Sequence, residues 1–191
     1  MATSNSRDFD LDVAELIEEA YERCGLELRT GYDARTARRS LNLMFADWAN
    51  RGLNLWTVTQ ETKAVTSGTA VYTLDSEFVD LLEVVLRNSS GTDFTLTQMS
   101  RGEYLRIPNK DNSGQPSQYF FDRQTTPTIT LWSTPDTSYT LVYYYVRRIQ
   151  DADALVNTTD APFRFLPCMA AGLAYYISKK KAPDRIQILK A

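Results

Sequence analysis

The chain has 191 residues, 43% of them hydrophobic and 12% aromatic, which is enough apolar mass to fill one ordinary domain or two small lobes. Its net charge of −3 lacks the basic excess of a protein that grips phosphates, so specific nucleic-acid binding is disfavoured. The complete absence of histidine removes Ser-His-Asp and Cys-His nucleophile pairs together with the commonest metal ligand.

Cys24 and Cys168 both fall in segments of apolar periodicity and read as buried small hydrophobes rather than as a secreted disulfide framework. No apolar run approaches the roughly 20 residues of a membrane span. The first ten residues are polar and acidic where a signal peptide would be basic and then greasy. A reducing cytoplasm is the expected setting, with neither export nor membrane insertion.

Asp12 followed three residues later by Glu15 forms a capping box, and Val13, Leu16, Ile17, Ala20, Tyr21 and Cys24 then recur at helical spacing. Glu15, Glu18, Glu19 and Glu22 occupy the other face, and Gly25 stands where a left-handed C-terminal residue belongs. After a turn around Thr30 and Gly31, a second helix is predicted over 33–50. Ala34, Ala37, Leu41, Phe45 and Trp48 lie on its stripe, Arg35, Arg38 and Arg39 lie off it, and Gly52 closes it. The short connection makes the pair an antiparallel hairpin.

From Leu55 the period becomes two. Residues 58–65 and 70–74 read as a β-hairpin around the turn Thr66-Ser67-Gly68-Thr69. Further strands are predicted over 81–87, 94–97, 118–123, 128–132 and 139–147, with a single short helix announced by the capping box of Ser100 and Glu103. Residues 109–117 are polar and turn-rich and read as an exposed, mobile loop.

The helical period returns after Asp160, carried by Phe165, Leu166, Met169, Leu173, Tyr176 and Ile177. Pro167 requires either that the helix begin near it or that an earlier turn join there at a kink. Lys179, Lys180 and Lys181 suit the negative end of the helix dipole, Pro183 breaks it, and a last helix starts near Asp184 with Ile186, Ile188 and Leu189. No stop signal precedes Ala191, so that helix is expected either to continue or to become ordered against a partner.

The fold class is therefore α+β: an antiparallel helical bundle from the N- and C-terminal helices with an inserted antiparallel β-sandwich or barrel-like lobe. The boundaries are 1–54 for the first helical part, 55–150 for the lobe, and 151–191 for the closing helices. Leu16, Ile17, Leu41, Phe45, Trp48, Leu173 and Ile177 form the expected bundle core.

No catalytic, cofactor or metal site emerges, and the chain is read as a non-enzyme that holds other subunits in register. Asp47, Asn50 and Arg51 are ordinary charge on a helix surface. Asp151 and Asp153 lie in a turn that lacks the further ligands of a calcium loop. The aromatic strand from Tyr139 to Tyr145 lacks the interleaved basic residues of a stacking platform and reads as core and interface. The lysine triplet with Arg185 and Lys190, together with the helix before it and the acidic first helix, points to a charged protein-docking surface ahead of DNA contact or a merely solvated face.

Three segments add a resemblance: FDLDVAELIEEAYERCG at 9–25, ARRSLNLMFADWANRGLNLW at 37–56, and PFRFLPCMAAGLAYYISK at 162–179. Their sharpest elements are Trp48, Arg51-Gly52 and Leu55-Trp56 ahead of the expected β-hairpin, and Gly172-Leu173-Ala174-Tyr175-Tyr176 near the end. In order and spacing they resemble the head-to-tail adaptor, or connector-ring, proteins of tailed phages, short-tailed ones above all, the tail tubular A-like group. The resemblance implies a bundle with an inserted β-rich lobe. It also implies a dodecameric ring beneath the portal protein that offers a platform to the tail nozzle, a tail tubular B-like protein. Double-stranded DNA would pass through without specific binding, the place would be the virion neck or tail after assembly in the bacterial cytoplasm, and no cofactor or membrane would be involved.

On this resemblance residues 179–191 dock to the portal, with Lys179, Lys180, Lys181, Arg185, Ile186 and Leu189 as the contact residues, and the lobe's loops face neighbours or the nozzle. Alternatives remain: another neck or tail-completion protein, a monomeric protein-binding module unrelated to the portal, and, more distantly, a carboxylate-based cell-wall hydrolase.

Overall fold

The computed structural model describes residues 3–53 and 55–190. Asn54 and Ala191, which end two of the expected segments, lie outside the described residues. The protein is mixed α+β and divides into two compact units, Met1–Trp56 with Ile149–Ala191, and Thr57–Arg148.

The first unit opens with α1 (Val13–Arg23). Its capping box is formed: Asp12 Oδ1 accepts from the Glu15 N–H at 2.8 Å and Glu15 Oε2 from the Asp12 N–H at 3.1 Å. Two more donors of the first turn, the N–H groups of Val13 and Ala14, donate to the carbonyls of Asn157 and Leu155, both at 2.9 Å, so a returning segment finishes the helix start.

At the other end Gly25 takes φ +67°, the Gly25 N–H donates to the Glu22 carbonyl and the Leu26 N–H to that of Tyr21. The next helix, α2 (Gly31–Asn50), is capped by Thr30 and ends by the same device. Gly52 has φ +78°, its N–H donates to Ala49 and the Leu53 N–H to Trp48. In both endings a leucine one residue past the glycine packs onto the shared core, which fixes where the chain departs.

Residues 151–160 strap the helices. Asn42 exchanges two hydrogen bonds with the Ala152 backbone, at 2.8 and 3.3 Å, Arg38 donates to the Asp153 carbonyl, and Trp56 Nε1 donates to the Asp160 carbonyl at 2.6 Å. A 3₁₀ turn at Phe163–Phe165 then leads into the long helix of the C-terminal part, Leu166–Lys181. Pro167 falls in its first turn, where a missing N–H costs nothing, so the helix begins one residue before the proline, directly after the 3₁₀ turn. A second 3₁₀ turn, Pro183–Arg185, precedes the short helix Ile186–Leu189.

The second unit is built on strands β1 (Val58–Val65), β2 (Val71–Thr73), β3 (Phe78–Arg87), β4 (Asp93–Thr95) and β5 (Thr97–Met99). The short helix α3 (Arg101–Arg106) follows, with the Ser100–Glu103 capping box in place. Then come β6 (Ser113–Gly114), β7 (Gln118–Asp122), β8 (Thr128–Trp132), β9 (Thr134–Pro135) and β10 (Tyr139–Arg147). With α3 placed, the helices 166–181 and 186–189 are α4 and α5.

The strands form two four-stranded sheets, ordered β1-β10-β3-β4 and β2-β8-β7-β5, with β6 and β9 as a separate pair. Leu86, Leu141 and Tyr143 from one sheet and Tyr119, Ile129 and Leu131 from the other enter a single apolar cluster.

The 58–65 and 70–74 segments are not a hairpin: β1 pairs with β10 and β2 with β8, in different sheets. The turn between them exists, with Gly68 at φ +78° and Tyr72 Oη donating to the Thr69 carbonyl at 2.8 Å. It carries the chain across the apolar cluster instead of back along one sheet. Pairing is not wholly antiparallel, since β5 runs parallel to β7 and β6 to β9. The segment 94–97 is split at buried Leu96 into strands of the two sheets, and the loop 109–117 contains β6, which anchors it to Thr134 and Pro135.

Candidate docking surface

The core beneath the surface comes from all three long helices of the first unit. Leu16 and Ile17 of α1, Leu41, Phe45 and Trp48 of α2, and Leu173 and Ile177 of α4 are buried in one cluster. Phe165 stands between Trp48 and Trp56, with ring centroids 6.3 and 4.5 Å away, so the tryptophans quoted for the family resemblance close one aromatic group. Gly172 lets α4 approach α2: a Cβ there would meet Met44 Sδ at 2.6 Å.

The lysine triplet is tied to this core. Lys181 forms an ion pair with Asp33, in the first turn of α2. Lys180 Nζ donates to buried Ser40 Oγ at 2.7 Å, and Ser40 Oγ donates in turn to the Thr36 carbonyl. Lys179 Nζ lies 4.1 Å from the centroid of the Tyr175 ring. The ammonium and the Thr30 hydroxyl beside it hold the Asp33 carboxyl below its ordinary range, and the carboxylate raises the Lys181 ammonium. The basic end of α4 thus anchors two helices to each other.

Beyond it, Arg185 lies over the end of α1, with its guanidinium 2.8 Å from where a Cβ on Gly25 would be, a favourable place for a cation at a helix C-terminus. Leu189 turns inward onto the core and Ile186 is half-buried. Ile188 is 75% exposed and Lys190 is exposed. Ile188, given no surface role by its spacing, is the apolar side chain that this segment presents outward.

The apolar part of a second surface is not visible in the periodicity of the sequence. An open groove of about 600 Å³ runs between α1 and the start of α4. Leu166, Pro167 and Ala170 line it, Phe9 and Phe163 stand at it with 72% of each exposed, and Glu15, Glu18 and Glu22 border it. The sequence assigns the acidic face of α1 to a charged docking surface, but its periodicity gives no sign of the apolar groove beside it. The available signal was a phenylalanine in a polar leader and another off the helical stripe just after Pro162.

The remaining candidates have plain surroundings. Asp47 pairs with Arg51 at 2.9 Å. Cys24 is buried, its thiol raised by burial, and its Sγ donates to the Ala174 carbonyl at 3.2 Å. Cys168 is exposed, contrary to expectation, because it falls in the first turn of α4 on the side away from the core. Tyr143 and Tyr145 are buried while Tyr144 faces outward. Among the described residues no helix is long and apolar enough to cross a membrane.

No curated protein is a significant match to the chain. The family model of the SU10 adaptor protein, however, matches residues 11–189, through both helical segments and everything between them, and the chain therefore belongs to that family of structural phage adaptors.

Proposed function

We propose that the protein is the subunit of a dodecameric ring that joins the capsid portal to the tail nozzle in the virion neck and extends the DNA channel, with no catalytic role. The observation that carries this reading is the adaptor-family match over residues 11–189. In structural terms the first unit serves as a helical bundle and the second as its inserted sandwich-like lobe, which fits a subunit that must hold position and offer platforms. A net charge of −3 suits a channel through which DNA slides, because strong phosphate binding would retard passage.

In this reading residues 179–191 dock to the portal. Lys180 and Lys181 fix the end of α4 while Ile188 and Lys190 meet the partner. The test is native mass spectrometry and electron microscopy of the protein alone and mixed with its cognate portal. A ring seated on the portal, lost on Ile188→Asp with the melting temperature unchanged, is the expected result. A monomer indifferent to portal would move the function to another neck protein or an independent binding module.

A further inference from the structure

We propose that the groove between α1 and α4 is the side-to-side contact of the ring and that it receives the exposed face of α2 from a second copy of this chain. The proposal rests on the ring reading above and names the surfaces that would close it.

The two faces are complementary in charge. On α1, Glu15, Glu18, Glu19 and Glu22 recur at spacings of three and four, and among the described residues Glu19 alone of the four has a basic partner on its own helix, Arg23 at 2.7 Å. On α2, Arg35 and Arg39 project into solvent one turn apart. Each array is self-repulsive along its helix, since like charges three or four residues apart destabilise it. Apart from Glu15, which caps α1, and Glu19, which pairs with Arg23, these charges add nothing to the stability of their own helices, and each array is relieved by the opposite charge of the other. Arg23 and Arg164 temper the groove without reversing its sign.

The apolar parts match as well. Tyr32 is 70% exposed and Leu43 is 55% exposed, and they flank the two arginines on the same side of α2. At the usual helical rise they are about 16 Å apart. The groove offers Phe9 and Phe163 beside the glutamates, again large apolar groups next to charge. Both helices bury their other stripe in one core, so the acidic and basic faces are distinct patches of one subunit. A contact between unlike patches is heterologous, and repeated head to tail it generates a closed ring when the rotation permits.

Two charge-reversed chains test this: Glu18→Lys with Glu22→Lys, and Arg35→Glu with Arg39→Glu. Glu15 is spared because it caps α1. All four positions are exposed, and melting temperatures within a few degrees of the parent certify the folds. Assembly is read by native mass spectrometry with and without cognate portal. Each variant alone is expected to lose ring formation at concentrations at least tenfold above those at which the parent assembles. An equimolar mixture should restore rings of alternating copies, because every contact again joins opposite charges. Rings from either variant at parental concentrations would overturn the proposal and leave the ring reading intact. Folded variants that stay apart in the mixture would overturn the pairing of these two faces. A parent that forms no ring in either condition would defeat the ring reading, and this contact with it.

Discussion

Lys181 in the last turn of α4 and Asp33 in the first turn of α2 form an ion pair across the helical unit, with Asp33 only 8% exposed. The pair joins a helix end rich in cations to a helix start that favours an anion, so each charge also suits its own helix dipole. Asp33 titrates below its ordinary value of 3.8 because the Lys181 ammonium bonds to the charged form. A depressed carboxyl contributes stability that is present above the unfolded-state value and lost as pH falls through the folded one. Lys181, raised above 10.5 by the same bond, contributes below that value and loses its contribution as pH rises through the folded one. Melting temperatures of Asp33→Asn should therefore fall less steeply than those of the parent on acidification below about pH 4. Parallel curves would mean that the pair does not stabilise the fold.

Trp48 is 9% exposed and packs against Phe45 and Phe165. Trp48→Ala should lower unfolding free energy by about 3–5 kcal/mol, the usual cost of emptying such a position. Leu43→Ala, on the exposed face of the same helix, should stay within about 0.5 kcal/mol. Urea denaturation of both separates packing from any general effect on α2; equal losses would contradict the assignment of faces.

Gly172 permits the close approach of α4 to Met44. Gly172→Ala gains roughly 1 kcal/mol of helix propensity but forces the sulfur aside, for which overpacking costs of about 1–3 kcal/mol are typical. A net loss of up to about 2 kcal/mol is expected on that balance. It should disappear in a Met44→Ala background, where the obstructing sulfur is gone. A double-mutant cycle without coupling would show that the two side chains do not compete for space.

Gly25 and Gly52 end their helices with the same geometry but in different surroundings. At Gly52 a Cβ meets nothing within 4 Å, so Gly52→Ala should cost only the left-handed penalty, about 1–2 kcal/mol. At Gly25 a Cβ would displace the exposed Arg185 guanidinium from the end of α1, so Gly25→Ala should cost only about 0.3–1 kcal/mol more, the usual worth of a cation at a helix C-terminus, and Arg185→Ala should remove that excess. An excess that survives Arg185→Ala would mean that the guanidinium is not what the new methyl group meets.

What the sequence made legible was local. Both capping boxes, the two glycine endings and the limits of 58–65, 128–132 and 139–147 follow from residue types within a few positions of one another. The false hairpin shows the boundary of such reasoning. Alternation places Val65 and Tyr72 on strands, and the turn between them is real, yet the choice of β10 and β8 as partners is made by residues more than fifty positions away. The lysine triplet illustrates the same limit at the surface. Three adjacent cations look like an open patch until the chain brings Asp33 and Ser40 under two of them. The acidic face of α1 was legible as a docking surface, but the groove beside it was not, because only the fold brings Phe9 and Phe163 next to those glutamates.

The Arg147 N–H donates to the Thr57 carbonyl at 2.8 Å, so the β-rich unit leaves and rejoins the chain at one point. For loop-closure entropy, which grows with the length of free chain, the whole of 57–148 then counts as little more than a tight turn. Strands could be added, trimmed or exchanged inside that span without lengthening the connection between the helical segments. A phage lineage could in this way refit the lobe to a new neighbour while the residues that hold α1, α2 and α4 together stayed under their own, separate selection.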